Sequence, residues 1–310
     1  MTVQTIFNFF DIEETAAALC QHFDIDEKNF EDFLVREIGN SKENLESVYF
    51  KFITEFGIQL EIISTENVVV KAKHITTQPE GEKSIKKYGL LSLIDVIQKE
   101  TPLKKFLDDC DIHIDLEKKR IFLSDKVIHL VSGDDHPSHV NQSLRYAEYV
   151  NRIYQTLYFD NGEIEFFLGG KDEDIFRYST VTRHPEILEK LNSLSNELGL
   201  SLDLVNKWKL LQNDCFYVLE FIFPVGGLKY IKELLVENDE YDSSEAYFKL
   251  FSYTRSDYIV GSIPNEFYIN LFLVKNSLDV VFTGKGKEFG QIATSVNIPY
   301  GDIVVTKVFI

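Results

Sequence analysis

Apolar positions recur at helical spacing through the N-terminal part of the chain. Behind Asp11, a suitable N-cap residue, apolar side chains repeat three or four positions apart, at Ala16, Leu19, Cys20 and Phe23. Two segments with the same spacing follow, and Gly39 and Gly57 are suitable residues to end them. The pattern predicts three amphipathic helices in an acidic helical module over residues 1–66.

From residue 67 onward the pattern becomes a mixture of short strands and helices. β-branched residues predict a strand over 67–73, and alternation predicts a hairpin between 112–116 and 120–123. Further strands are predicted at 127–130, 163–168, 216–223, 267–274 and 278–283, and a strand, a turn and a strand over 290–310. Helices are predicted at 81–88, 91–99, 102–110, 141–158 and 185–198, and within 228–250. The fold class is therefore α+β, with a second domain over residues 67–310.

Composition bounds the class of protein. Hydrophobic residues make up 44% of the 310 positions, a share typical of globular proteins. No apolar run approaches the length of a membrane span, and the N-terminus lacks the basic region of a signal peptide. Cys20, Cys110 and Cys215 are far apart and odd in number, which argues against a disulfide framework and a structural zinc site. We expect a cytoplasmic protein with reduced thiols.

Charge is unevenly distributed around a net value of −18. Residues 67–130 hold ten acidic and twelve basic side chains, whereas the segments before and after each carry a net charge of −10. Because phosphate neutralisation drives non-specific binding to nucleic acid, we expect little binding of that kind. The basic band of the middle segment consists of Lys71, Lys73, Lys83, Lys86 and Lys87. It is either a solvated helix face or a cleft that accepts a ligand phosphate.

The basic band surrounds the most informative polar pair of the chain, His74 and Thr76. Residues two apart on a strand project from the same face, so an imidazole and a hydroxyl would lie side by side at the strand end. A polar segment and a helix carrying Ile85 follow, and that helix stops at Gly89 and Leu90. Such an arrangement can bind a ribose or a carbonyl group.

The segment from His74 to Leu90 resembles the opening motif of the ADP-ribosyltransferase superfamily. It is closest to the DNA-targeting ADP-ribosyltransferase toxins and is also similar to the RNA 2′-phosphotransferases. In these families a histidine and a hydroxyl residue on one strand contact the ribose and nicotinamide side of NAD, roles that the resemblance gives to His74 and Thr76. The implied fold has a split mixed or antiparallel sheet with flanking helices. The implied ligand is NAD, as a substrate, with no metal.

Two further segments extend the resemblance across residues 67–310. The strand at 166–168, with the later Arg183, is similar to a middle segment in which a strand leads to an arginine-containing turn, and this implies a phosphate contact for Arg183. The frame 291–303 resembles the C-terminal motif, in which a catalytic glutamate on a strand precedes an apolar–proline pair, here Ile298-Pro299. The chain departs from the motif at its catalytic position, where Gln291 stands in place of glutamate.

This departure bears on the chemistry. Glutamine keeps the hydrogen-bonding shape of glutamate but supplies no negative charge to an oxocarbenium-like ribose. Losing one preorganised electrostatic contact typically costs about 10²–10³ in rate. Gln291 is therefore an inactivating replacement of the catalytic glutamate, a drifted position in a ligand-binding pseudoenzyme, or a position whose role passes to Glu288. Glu288 lies three residues away, so on a strand it faces the opposite side unless a bulge intervenes.

Two functions follow from these residues. The first is an NAD-dependent ADP-ribosyltransferase, or an inactive relative, with a nucleic-acid or protein acceptor and a role as a toxin or in phage defence. The second is a non-enzymatic inhibitor or oligomeric scaffold that docks on a partner protein, or on a second copy, through its acidic surface. Neither function involves a membrane.

Three other features have alternative interpretations. The loop at 134–139 sets two carboxylates beside two imidazoles, which suits either a metal ion or a plain polar loop. The segment 284–287 has the composition of a phosphate loop but lacks its characteristic ending, so a turn is predicted. Glu220 lies within an apolar strand and is either a cleft carboxylate or part of a wet strand face.

Overall fold

The structure is a computed structural model that describes residues 4–39, 45–131, 144–159, 164–176, 181–212, 215–228, 265–284, 289–292 and 298–309. Its helices are α1 (Ile12–Phe23), α2 (Glu27–Glu37), α3 (Leu45–Glu55), α4 (Lys83–Tyr88), α5 (Leu93–Gln98), α6 (Pro102–Asp109), α7 (Leu144–Tyr154), α8 (Asp172–Phe176), α9 (Glu186–Glu197), α10 (Leu204–Gln212) and α11 (Asn265–Thr283). Its strands are β1 (Thr5–Phe7), β2 (Val68–Thr76), β3 (Ile112–Asp115), β4 (Arg120–Leu123), β5 (Lys126–His129), β6 (Ile164–Phe167), β7 (Cys215–Pro224), β8 (Phe289–Ile292) and β9 (Ile303–Phe309).

The three helices predicted near the N-terminus are confirmed. Each of the first two is capped by an aspartate: Asp11 Oδ1 accepts a hydrogen bond from the Glu14 N–H at 2.9 Å, and Asp26 Oδ1 accepts one from the Asn29 N–H at 3.0 Å. These caps satisfy backbone donors that a helix start leaves unpaired. The apolar stripes of α2 and α3 then meet through the ring of Phe52.

The main sheet is mixed, and it contains the strands in the order β8-β6-β2-β7-β9. β1 adds to β2 in parallel, with Thr5 opposite Val68. β2 and β6 run antiparallel, with Lys73 opposite Phe167. The α+β class is thus confirmed in its general form, since helices and a mixed sheet occur together. The finer expectation, an ADP-ribosyltransferase-like sheet, stays a prediction.

A second sheet consists of β3, β4 and β5, which pair antiparallel in sequence order. The predicted hairpin is therefore confirmed, with Ile112 opposite Leu123 and Ile121 opposite Ile128. These four side chains are buried, and they pack in one hydrophobic core with apolar residues of α7, α9 and α10. The alternation that predicted the strands is the alternation that directs them into this core.

The strands predicted at 267–274 and 278–283 are wrong, because both segments belong to the single helix α11. The helix carries buried side chains on all of its sides, among them Phe267, Tyr268, Leu271, Leu273 and Leu278. A helix that is apolar on all sides shows no 3.6-residue period, and its aromatic and β-branched residues imitate a buried strand. Burial rather than local propensity determines the element here.

Other differences from the predicted elements are smaller. β2 continues to Thr76, three residues beyond the predicted strand, and β1, α8 and α10 form where no element was predicted. The helices predicted within 228–250 and the candidate metal loop at 134–139 lie outside the described residues.

Contacts divide the chain into two compact units. One comprises residues 1–73, 165–175 and 221–292, and the other comprises residues 74–164, 176–220 and 293–310. Strands β2, β6 and β7 each cross from one unit to the other along the chain. The boundary predicted between residues 66 and 67 stays a prediction.

A buried side-chain amide on α11 connects distant segments of the first unit by hydrogen bonds. Asn270 is fully buried, and its Nδ2 donates to the carbonyl oxygens of Leu60 at 2.7 Å and Ile63 at 2.9 Å. Its Oδ1 must therefore accept, so His22 Nε2, 2.7 Å away, is the donor and carries the proton of the neutral ring. One side chain thus ties α1 and the chain before β2 to a helix more than 200 residues later.

We predict that the stability of the protein falls below about pH 6.5 because of His22. Burial lowers the pKa of His22, against the opposing effect of its hydrogen bond to Asn270. The unfolded chain then binds a proton that the folded chain resists, so the free energy of unfolding decreases as the pH drops from His22's unfolded value, 6.5, towards the folded pKa. Urea unfolding at pH 7.5 and pH 5.5 measures the loss.

The control for this prediction is His22→Gln, which keeps a donor for Asn270 but does not titrate. The variant should lose less stability than the wild type between the two pH values. Asp279, whose pKa burial raises, contributes with the opposite sign in both proteins and cancels in the comparison. Equal losses in the two proteins would contradict the role given to His22.

Candidate functional site

The sequence placed His74 and Thr76 on one face of a strand, and the structure confirms this placement. Both lie at the end of β2 and both are half-buried, while Ile75 between them is buried. The alternation continues beyond the strand, because Thr77 is buried and Gln78 is half-buried. Gln78 Nε2 donates to Thr76 Oγ1 at 3.3 Å. His74, Thr76 and Gln78 therefore form a polar row: an imidazole, a hydroxyl and a carboxamide.

The polar row is supported from the opposite side of the chain by Thr77. Its Oγ1 accepts a hydrogen bond from Trp208 Nε1 at 3.0 Å, and both side chains are buried. The Trp208 ring in turn meets Phe106 edge to face, with 5.1 Å between centroids. The residue between Thr76 and Gln78 is thus held by the hydrophobic core of the second unit, which fixes the end of the strand.

A tight turn follows the polar row. The Gly81 N–H donates to the Gln78 carbonyl at 3.0 Å, and Gly81 has φ of 71°, a conformation that glycine adopts at little cost. A Cβ at this position would lie 3.5 Å from the hydroxyl oxygen of Tyr217. Burial raises the pKa of Tyr217, with Cys215 and Glu82 adding to the effect. Its phenol stays neutral and can donate a hydrogen bond.

The predicted helix end at Gly89 is also confirmed. The Gly89 N–H donates to the Ile85 carbonyl at 2.8 Å, and Gly89 has φ of 73° and ψ of −155°. This turns the chain so that Leu90 pairs with Ile298, whose carbonyl accepts the Leu90 N–H at 3.0 Å. Two segments that carried the resemblance, the Gly-Leu pair and the Ile-Pro pair, are therefore bridged within one unit.

Arg183 lies in the turn before α9, and its side chain is exposed. Its neighbours are fixed, since Gln212 Nε2 donates to the Thr182 carbonyl at 2.8 Å and His184 is buried. Both neighbours of Arg183 are thus held in place, but the described contacts do not bring Arg183 to His74 or Thr76. The phosphate contact stays a prediction.

Gln291 lies on β8, as its motif requires of the catalytic position. The strand order places β6 between β8 and β2, so the strands that carry the three motif segments are consecutive neighbours. Gln291 and His74 belong to different units. The alternative carboxylate, Glu288, lies outside the described residues.

Glu220 is the other carboxylate that the sequence singled out, and the faces of the sheet can be assigned around it. Lys73 and Phe167 are directly opposed partners of an antiparallel pair, so they share one face. Phe166 therefore lies on the other face, and its ring meets the ring of Phe221 at 5.6 Å across the intervening strand β2.

This assignment separates Glu220 from the polar row. His74 follows Lys73, so it lies on the face of Phe166 and Phe221, and Glu220 precedes Phe221, so it points to the opposite face. Tyr217, four residues before Phe221, lies on the face of His74. The Tyr217 phenol, on the neighbouring strand, is therefore on the same face of the sheet as the polar row, whereas the Glu220 carboxylate is on the opposite face.

The lysines of the basic band mostly have structural partners. Lys73 is buried, with its Nζ 2.6 Å from Asp172 Oδ1 and 4.6 Å from the centre of the Phe10 ring. Lys86 on α4 forms an exposed ion pair with Glu82 at 3.1 Å. The Lys86 pair favours the solvated helix face over the phosphate cleft, whereas Lys73 is a buried strand residue with its own partners.

Sequence reasoning missed Gln78, Tyr217 and Trp208. Gln78 continues the two-residue period of His74 and Thr76, so it could have been found had the strand been extended. Tyr217 and Trp208 could not, because only the pairing of distant elements brings them to residues 76–81.

Comparisons with known proteins do not assign the site. No protein-family model, no curated protein and no solved structure matches the chain. Within the described ranges no three metal-ligating side chains of histidine, cysteine, aspartate or glutamate cluster together. In the same part of the chain, no helix combines the length and apolar character that a membrane crossing requires.

We predict that Gly89→Ala destabilises the second unit by about 1–3 kcal/mol, because a side chain strains this backbone conformation. Gly301→Ala is the matched control, since a Cβ there meets open space and the residue has no positive φ. The control should change stability by less than about 0.5 kcal/mol. Urea unfolding followed by the fluorescence of the single tryptophan, Trp208, measures both. Equal stabilities of the two variants would contradict the prediction.

We also predict that Thr77→Val costs about 1–3 kcal/mol, because it leaves the buried Trp208 N–H without its acceptor while keeping the side-chain volume. The emission maximum of Trp208 should shift to shorter wavelength at the same time. Thr306→Val, on the exposed side of β9, is the control and should change neither quantity. An unshifted emission spectrum in Thr77→Val would show that the hydrogen bond does not form.

Proposed function

We propose that the chain is an ADP-ribosyltransferase-like protein that binds NAD, with the nicotinamide ribose against His74 and Thr76. The observation that carries the proposal is the strand order: β2, β6 and β8, which hold the opening, middle and C-terminal motif segments, are consecutive in one sheet. These segments are far apart in sequence. Motif matches due to chance would have no reason to fall on neighbouring strands.

The bridge between Leu90 and Ile298 supports the proposal independently. The helix that follows the polar row is buried at Ile85 and is capped by Gly89, next to the bridged Leu90, so the segment from His74 to Leu90 is closed into one structural piece. A ligand held by His74 and Thr76 would meet a pre-formed surface. Preorganised groups bind with a smaller loss of conformational entropy.

The proposed chemistry is limited by charge. Breaking the nicotinamide–ribose bond develops positive charge on the ribose, which a carboxylate stabilises. Gln291 provides no such charge, and Glu220 points to the other face of the sheet. We therefore propose a protein that binds NAD and turns it over slowly or not at all, rather than a fast transferase.

The acceptor and the biological role belong to the same proposal. ADP-ribose would pass to a nucleic acid or a protein, in a toxin or in a phage-defence system. A chain with a net charge of −18 gains little from contacts along a phosphate backbone. This favours a protein acceptor over an extended nucleic acid.

We predict that the wild type binds NAD and that His74→Ala weakens this binding about tenfold or more, because a hydrogen-bonding group at the polar row is lost. Gln291→Glu should raise the rate of nicotinamide release by about 10²–10³ over the wild type, because it restores the missing charge. Isothermal titration calorimetry measures the affinity, and chromatography of released nicotinamide measures the rate.

His129→Ala is the matched control for this experiment, since His129 is an exposed histidine at the end of β5 in the same unit. It should bind NAD as the wild type does. A lack of NAD affinity in both the wild type and Gln291→Glu would exclude the proposed function.

The alternative function, a non-enzymatic interaction protein, is favoured by one observation. Among the described strands β9 stands at an end of the order, and its residues Val304 and Phe309 are 65% and 73% exposed. Such an edge is suited to pairing with another chain. This alternative predicts an oligomer or a stable complex in native mass measurements, and a function that His74→Ala leaves intact.

A further inference from the structure

Within the described part of the chain, one buried atom of the polar row lacks the hydrogen-bond partner that its burial requires. Gln78 Oε1 is buried and has no hydrogen-bond partner among the described residues. The other end of the same amide is engaged, since Nε2 donates to Thr76 Oγ1 at 3.3 Å. A buried acceptor left unpaired costs about 1–3 kcal/mol, so a group of this kind in a folded protein requires an explanation.

The hydrogen bond from Gln78 also determines which hydrogen bond the Thr76 hydroxyl can make to a ligand. A hydroxyl has one proton and two lone pairs, and here a lone pair is used by the Gln78 amide. The proton of Thr76 is then directed elsewhere. The polar row thus presents a hydroxyl donor beside a carboxamide acceptor.

A donor beside an acceptor is complementary to a primary carboxamide. The carbonyl of such a group accepts a hydrogen bond from the Thr76 hydroxyl, and its NH₂ donates to Gln78 Oε1. A carboxylate of the same shape offers no proton and would leave Gln78 Oε1 facing a negative charge. The row therefore distinguishes an amide from the corresponding acid.

We propose that Gln78 is a specificity-determining residue that reads the carboxamide of a nicotinamide ring. This inference rests on the proposed function, because it takes NAD as the ligand of the row. It adds a side chain that neither the motif nor the resemblance includes. Its consequence is that the protein binds NAD and rejects deamido-NAD, in which a carboxylate replaces the carboxamide.

The test compares three ligands by isothermal titration calorimetry: NAD, deamido-NAD and ADP-ribose. The wild type should bind NAD about tenfold or more tightly than deamido-NAD, as expected for one buried hydrogen bond made or lost. Gln78→Leu should bring these two affinities together and leave the affinity for ADP-ribose, which lacks the nicotinamide, unchanged. Gln98→Leu, at an exposed glutamine in the same unit, should behave as the wild type.

The outcomes separate this inference from the proposed function. Equal binding of NAD and deamido-NAD by the wild type, or a preference for deamido-NAD, overturns the role of Gln78 while NAD binding stands. A loss of ADP-ribose affinity in Gln78→Leu that matches the loss of NAD affinity also overturns it. No binding of NAD or ADP-ribose by the wild type removes both proposals. The emission of Trp208 reports whether Gln78→Leu is folded. If this variant does not fold, the ratio of the wild-type affinities for NAD and deamido-NAD decides whether Gln78 has the proposed role.

Discussion

The candidate site depends on the alternation of side chains along the end of β2. Odd positions point to one face, where Thr77 is fixed by the indole N–H of Trp208. Even positions point to the other face and carry the polar row. The strand end cannot rotate or slip by one residue without exchanging the two sets, so the anchoring of the odd positions determines where the even ones point. Thr77 and Trp208 thus determine the direction of the His74, Thr76 and Gln78 side chains without being part of the polar row.

The same alternation explains how much could be predicted from sequence. His74 and Thr76 lie two apart in a run with strong β propensity, so their common face was predictable from local pattern. Gly89 was predictable as a helix end because few other residues adopt its backbone conformation. The position of α11 was not predictable in this way, since a helix buried on every side has the composition of a strand. Nor was the approach of Tyr217 or Trp208, because it depends on how distant strands pair and how helix α10 packs, which a single sequence does not reveal.

The candidate site consists of neutral hydrogen-bonding groups, and this limits the chemistry that it can support. The polar row and Tyr217 offer neutral hydrogen-bonding groups, and Glu220 is excluded by the face to which it points. Neutral groups of this kind recognise shape and hydrogen-bonding pattern, whereas stabilising a developing cation requires a negative charge. In the proposed function, recognition and catalysis are therefore separable. Recognition would use residues near the start of the second unit, and catalysis would depend on the residue at position 291.

The amide of Asn270 has a consequence for the order in which the chain can fold. The N-terminal helices present their apolar faces as soon as they are synthesised, but the helix that fastens them begins at Asn265. Until that helix has left the ribosome, His22 and the carbonyls of Leu60 and Ile63 lack their hydrogen bonds to Asn270. The first unit thus completes only near the end of synthesis, although it contains the first residues made. A nascent chain with this connectivity leaves apolar surface of the first unit uncovered for most of its synthesis, and such surface is prone to aggregation.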